Sequence, residues 1–252
     1  MDRSIIEQFG SWYLIIIDSF LIIGSLIFFR LSKDRKTKIF YWLPYVILAF
    51  TVFYENLGAY TNYNLEFKKS VNALLGNTEN PNYNLWVFNI CFQQITTILY
   101  LLLIRNWLEP SKKKFINWML LIFVFISFAL QITGIEPLYL DQPIISAMGA
   151  NMILIGSGLY FMGLITNQHY LETEPLRLIS FWQMTFLLFT YSLTYISSVS
   201  YLYLYEFNPD LGQSISQIDM YMGIINIGIL ILIIASPLLP KVFLREPFYE
   251  PI

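Results

Sequence analysis

Seven apolar segments, each long enough to cross a bilayer, fill most of the 252 residues and leave no comparable stretch for a soluble domain. They run from Trp12 to Phe29, Ile39 to Gly58, Leu85 to Ile104, Phe115 to Thr133, Ile144 to Ile165, Leu178 to Leu204 and Met220 to Leu239. A helix rises about 1.5 Å per residue, so about 20 mainly apolar residues cross a hydrocarbon core about 30 Å thick. The expected fold is all-α: one polytopic transmembrane domain over residues 1–252, a bundle of seven membrane-spanning helices.

Composition fits a lipid environment, since 56% of residues are hydrophobic and only 13% charged, about half the charge of an ordinary soluble domain. Basic residues are sparse and confined to short connections, which argues against nucleic acid as a partner. The single cysteine, Cys91, lies inside the third segment and excludes both an internal disulfide and a cysteine-based metal site.

Lysine and arginine placement predicts the orientation, because positively charged short loops stay cytoplasmic. Arg30, Lys33, Arg35, Lys36 and Lys38 follow the first segment, and Arg105, Lys112, Lys113 and Lys114 follow the third. Arg177 precedes the sixth, while Lys241 and Arg245 follow the seventh. Only Arg3, Lys68 and Lys69 fall on the opposite side. The N-terminus is therefore expected outside and the C-terminus in the cytoplasm. The first segment reads as retained, because neither a basic leader nor a small-residue cleavage pattern accompanies it.

The longest connection, Ala59 to Asn84, is external and rich in asparagine and tyrosine, suiting a short lid. Cytoplasmic connections of about ten residues are too short for a signalling domain. A signal would pass to a separate protein.

Two polar stripes interrupt the apolar segments. Asn89, Gln93, Thr96 and Tyr100 share one face of the third segment, and Gln183, Thr190, Thr194, Ser197 and Tyr201 form another on the sixth. Polar groups turned to lipid lose hydrogen bonds that hydrocarbon cannot replace, so such faces turn inward. They serve either as interhelical glue or as the walls of a site.

Depth sharpens the pattern. Asp18 lies about 10 Å below the outer edge, and Glu55 lies near the outer end of the second segment. Asn89, Gln93, Gln131, Asn151, Thr194 and Asn226 also fall in the outer half. Together these eight form the expected ligand-binding set. Asp18 has no basic residue in any span to neutralise it, and a charge there costs roughly 2.5 to 3.5 kcal/mol. It must be protonated or held by donors such as Asn89, Gln93 or Asn226. A cation, amine or proton site is one reading; a satisfied structural acid is the other.

Gly149, Gly156 and Gly163 recur every seven residues and flatten one side of the fifth segment, for packing inside the chain or against a partner. A retinal Schiff base needs a lysine in the seventh segment, and there is none between Asp219 and Pro240. His169 is the only histidine and reads as a loop residue, so a histidine-bound zinc centre is not expected. The span serines lack a histidine or lysine to act as base. No metal, cofactor or enzyme signature emerges.

Glu55-Asn-Leu-Gly58, followed by Asn82-Tyr-Asn-Leu-Trp86, resembles a pattern in small uncharacterised seven-helix inner-membrane proteins of Bacteroidetes. The resemblance implies a bacterial inner membrane and carries no activity. The leading expectation is a receptor-like or sensory protein with an outward-facing polar pocket for a small molecule and a separate protein partner. The alternatives are an accessory subunit docked in a larger complex through the flat fifth segment, and a small-molecule or proton-linked transporter using Asp18.

Overall fold

The computed structural model describes residues 9–167, 170, 173–244 and 246, with side chains at 201–205 excepted. Arg3, His169 and Arg245 lie outside the described residues, as does the side chain of Tyr201. No β-strand occurs among the described residues.

Eight principal helices follow one another: α1 (Trp12–Arg30), α2 (Ile39–Tyr63), α3 (Leu65–Leu74), α4 (Leu85–Trp107), α5 (Pro110–Ile132), α6 (Pro143–Thr166), α7 (Ile179–Phe207) and α8 (Pro209–Ala235). Five have both the length and the apolarity to cross a membrane: α1, α4, α5, α6, and α8 with the 3₁₀ turn that follows it. Helices α2 and α7 have the length, at 25 and 29 residues, but are diluted by tyrosine, serine and threonine. The chain is a helical membrane protein. Trp118, Leu121, Phe125, Phe128 and Ile132 along α5 are all exposed, an apolar stripe that water would not tolerate and lipid does.

Local chemistry explains where the helices start. Ser11 accepts from the Leu14 N–H at 3.3 Å to cap α1, and Asn208 does the same for the Leu211 N–H ahead of Pro209 in α8. Asn64 caps α3, which ends at Gly76, whose φ of 81° is the left-handed conformation that glycine adopts without a Cβ penalty. Asn72, Asn77 and Asn80 then stitch this segment to the start of α4: Asn72 Nδ2 donates to the Pro81 and Tyr83 carbonyls, and Asn77 Nδ2 to Asn72 Oδ1. The asparagine-rich connection is a folded cover.

Helices α2, α4, α6, α7 and α8 form the core, with α1 seated against α2 and α8, and α5 against α4 and α6. Leu43, Ile47, Leu101, Ile104, Leu230 and Ile234 are fully buried at its centre. The flat side of α6 is filled from within the chain. A Cβ on Gly149 would meet Thr97 Oγ1 at 3.0 Å, and one on Gly156 would meet Ile104 at 3.2 Å and Ile116 at 3.3 Å. Gly163 faces Lys112. This corrects the expectation that the face could dock a partner: backbone approach inside the monomer uses it up.

At the end opposite α3, the C-terminal tail folds back. Leu244 N–H donates to the Arg177 carbonyl, and Glu246 accepts from Ser180 N–H at 2.9 Å and Ser180 Oγ at 2.8 Å, capping α7. Burial pushes the Glu246 carboxyl up to about 7 against those two donors. Ser180 also bonds Tyr160 of α6 at 2.5 Å. Nearby, Lys112 pairs with Glu109 at 2.6 Å and holds that carboxyl below its ordinary range.

Candidate functional site

A π-helical stretch, Asn89–Thr96, interrupts α4 and redistributes its polar residues. Thr96 Oγ1 donates to the Cys91 carbonyl five residues back, at 2.9 Å. The π geometry fans the predicted stripe into three directions. Asn89 turns to the α5–α6 connection and donates to the Leu138 and Leu140 carbonyls at 2.8 and 2.6 Å. Gln94 bonds Gln142 in the same connection. Gln93 and, one turn on, Thr96 and Tyr100 face two interior compartments.

The first compartment, about 340 Å³, sits at the α3 end of the bundle. Tyr13 comes from α1, Thr51, Tyr54 and Glu55 from α2, Phe88, Phe92, Thr96 and Tyr100 from α4, and Thr190 and Tyr191 from α7. Ser216, Asp219, Gly223 and Asn226 come from α8, at steps of three, four and three that keep them on one helix face. Tyr13 Oη donates to Glu55 at 3.1 Å. Tyr100 and Tyr191 meet edge to face at 5.9 Å. Asn226 Nδ2 donates to Thr190 Oγ1, while its buried Oδ1 has no partner.

The second compartment, about 210 Å³, shares Ser216 and Asp219 with the first. Gln93, Thr194, Ser146 and Ser198 line it, and Gln93 Oε1 is also buried without a partner. Asp219 accepts from Thr194 Oγ1 at 3.2 Å. One carboxylate thus borders both spaces. No lysine, arginine or histidine among the described residues lines either one.

The eight expected ligand residues therefore separate. Glu55 and Asn226 line the first compartment, and Gln93 and Thr194 the second. Asn151 borders a larger cleft of about 1180 Å³ between α6, α7 and the start of α4, lined mainly by apolar side chains. Asn89 is consumed by its two carbonyls. Gln131, whose Nε2 is buried without a partner, borders none of these spaces.

Asp18 is the principal correction. It lines neither compartment, and its donor is Asn56 Nδ2 at 2.8 Å on α2, not Asn89, Gln93 or Asn226. Asn56 also bonds the Val52 carbonyl, so the pair ties α1 to α2 as a satisfied structural acid.

Sequence reasoning missed Asp219, Tyr13, Tyr191 and Glu136. Asp219 fell at the predicted edge of the seventh segment, although α8 begins at Pro209 and carries it well inside the helix. Its four-step spacing with Gly223 and seven-step spacing with Asn226 was the available signal. Glu136 is buried in the α5–α6 connection and accepts from the Ile144 and Ile145 N–H groups at 2.6 and 2.9 Å, capping α6. It holds the frame beside the site. No protein-family model, curated protein or solved structure matches this chain.

Proposed function

We propose that this protein is a seven-span, receptor-like or sensory protein of a bacterial inner membrane, with its N-terminus and α3 outside. It binds a small ligand in the compartment between Glu55 and Asn226 and passes the signal to a separate cytoplasmic partner. The observation that carries this reading is the convergence of side chains from five helices on one interior space at the α3 end, with a buried acceptor left unused there. Polar glue alone pairs its own groups. The excess of lysine and arginine at the other end supports the orientation, and the Bacteroidetes-like motifs support the membrane assigned.

Two features favour this reading over transport. The opposite end of the core is packed with fully buried Leu101, Ile104, Leu230 and Ile234. The tail is bonded across it to α7. The filled glycine face of α6 likewise weakens the docked-subunit alternative.

Thermal unfolding of the detergent-purified protein across a library of small metabolites tests the proposal. At least one compound should raise the Tm of the wild type by several degrees and leave an Asn226→Leu variant unmoved, since occupancy at about 100 times Kd stabilises by about 2.7 kcal/mol. A stoichiometric co-purifying protein with no shift from any compound would replace this reading with the subunit one. Labelling of Glu79→Cys by an impermeant maleimide on intact cells checks the orientation.

A further inference from the structure

The walls of the Glu55–Asn226 compartment are selective in sign. Two carboxylates, Glu55 and Asp219, border it with no cationic side chain among the described residues lining the same space. The two buried side-chain atoms without partners on this and the adjoining compartment, Asn226 Oδ1 and Gln93 Oε1, are both hydrogen-bond acceptors. Asn226 is only 3% exposed, so water is an incomplete substitute for the missing partner. An anion entering here meets like charge, and a neutral acceptor meets acceptors. A donor carrying positive charge meets neither penalty.

The remaining wall is aromatic. Tyr54, Tyr100 and Tyr191 are buried, and Phe88 and Phe92 close the α4 side. Aromatic faces attract cations, and they also cover the apolar body of a ligand. The volume of about 340 Å³ is at the low end of small-molecule sites, which limits the occupant to a few heavy atoms beyond one ring.

We infer that the ligand of this compartment is a small primary or secondary organic amine, bound as its ammonium between Glu55 and Asp219 with its apolar part against the tyrosines. The N–H groups of such an ammonium supply the donor that Asn226 Oδ1 lacks, which a quaternary ammonium cannot do. This inference rests on the ligand-binding reading proposed above and names the chemical class for it.

Gly223 offers a way to test it, because this cavity residue has open space where a Cβ would be. The purified full chain carrying Gly223→Cys, with Cys91→Ser to remove the native thiol, is reacted with 2-aminoethyl, 2-hydroxyethyl and 2-sulfonatoethyl methanethiosulfonate. Rates are normalised to those with a free thiol in solution. The aminoethyl reagent should react about tenfold or more faster than the sulfonate, with the hydroxyethyl reagent between them. Glu55→Gln with Asp219→Asn should remove most of that preference. 2-Phenylethylammonium should slow labelling at concentrations where 2-phenylethanol does not.

Equal normalised rates, or protection by both ring compounds or by neither, overturn the amine assignment while leaving a ligand compartment in place. Failure of all three reagents to label a folded protein overturns the compartment itself, and the receptor reading with it. The comparison on Gly223→Cys needs no charge variant, so misfolding of Glu55→Gln or Asp219→Asn leaves the test intact.

Discussion

Asp18 and Glu136 are both carboxylates in an apolar setting, and their partners decide what each does. Glu136 spends both oxygens on the first N–H groups of α6, where the helix dipole also favours negative charge. Glu136→Ala should lower stability by about 1–3 kcal/mol, because two buried donors lose their acceptors. Asp18→Asn keeps an acceptor for Asn56 and should change stability by less than about 0.5 kcal/mol. Thermal unfolding in detergent measures both, and loss of ligand-induced stabilisation in a folded Asp18→Asn protein would return Asp18 to the site. The oddity of Asp18 was visible in the sequence, but its donor on another helix was not. Glu136 was invisible as a cap because it stands seven residues ahead of the first residue of α6 and reaches back through a loop.

Elements were legible where apolarity and helicity coincide. The first predicted segment ends within one residue of α1, and the fifth within one residue of α6 at each end. The seventh starts eleven residues late: Asp210, Gln213 and Asp219 lower the hydropathy there, yet Asn208 and Pro209 suffice to start the helix. The connection from Ala59 likewise contains the end of α2 and all of α3. Glycine positions separate the roles of α6 and α8. Gly156→Val forces methyl groups into Ile104 and Ile116 and should cost about 1–3 kcal/mol. Gly223→Ala meets open space within a helix and should be neutral or stabilising by up to about 1 kcal/mol. Unfolding measurements with light scattering distinguish this from a partner-facing role, in which Gly156→Val would change the oligomeric state and leave the monomer's Tm alone.

For the whole molecule, the tail-to-α7 bond makes stability depend on pH in a direction the fold dictates. Glu246 is pushed from its ordinary 4.5 up to about 7 by burial, so the folded protein holds this proton more tightly than the unfolded chain. Its contribution is complete below about pH 4.5 and disappears as pH rises through 7. Relative to Glu246→Gln, the wild type should lose roughly 2–3 kcal/mol between pH 5 and pH 8, read from paired Tm measurements. A difference that stays constant over that range would mean that the carboxyl is not buried in solution. Nothing in the sequence around Glu246 hints at this, because the bond exists only once α7 and the tail share one end of the bundle.

The π stretch of α4 has a consequence of a different kind. Each of its turns holds about one residue more than an α turn. Deleting a single residue between 89 and 96 lets the regular ladder close and turns one half of α4 by about 100° against the other. Asn89 could then no longer reach the Leu138 and Leu140 carbonyls while Thr96 and Tyr100 still face the compartment. What this stretch must conserve is its residue count: side chains can be exchanged one at a time, but the tally between the loop anchor and the cavity wall cannot drop by one.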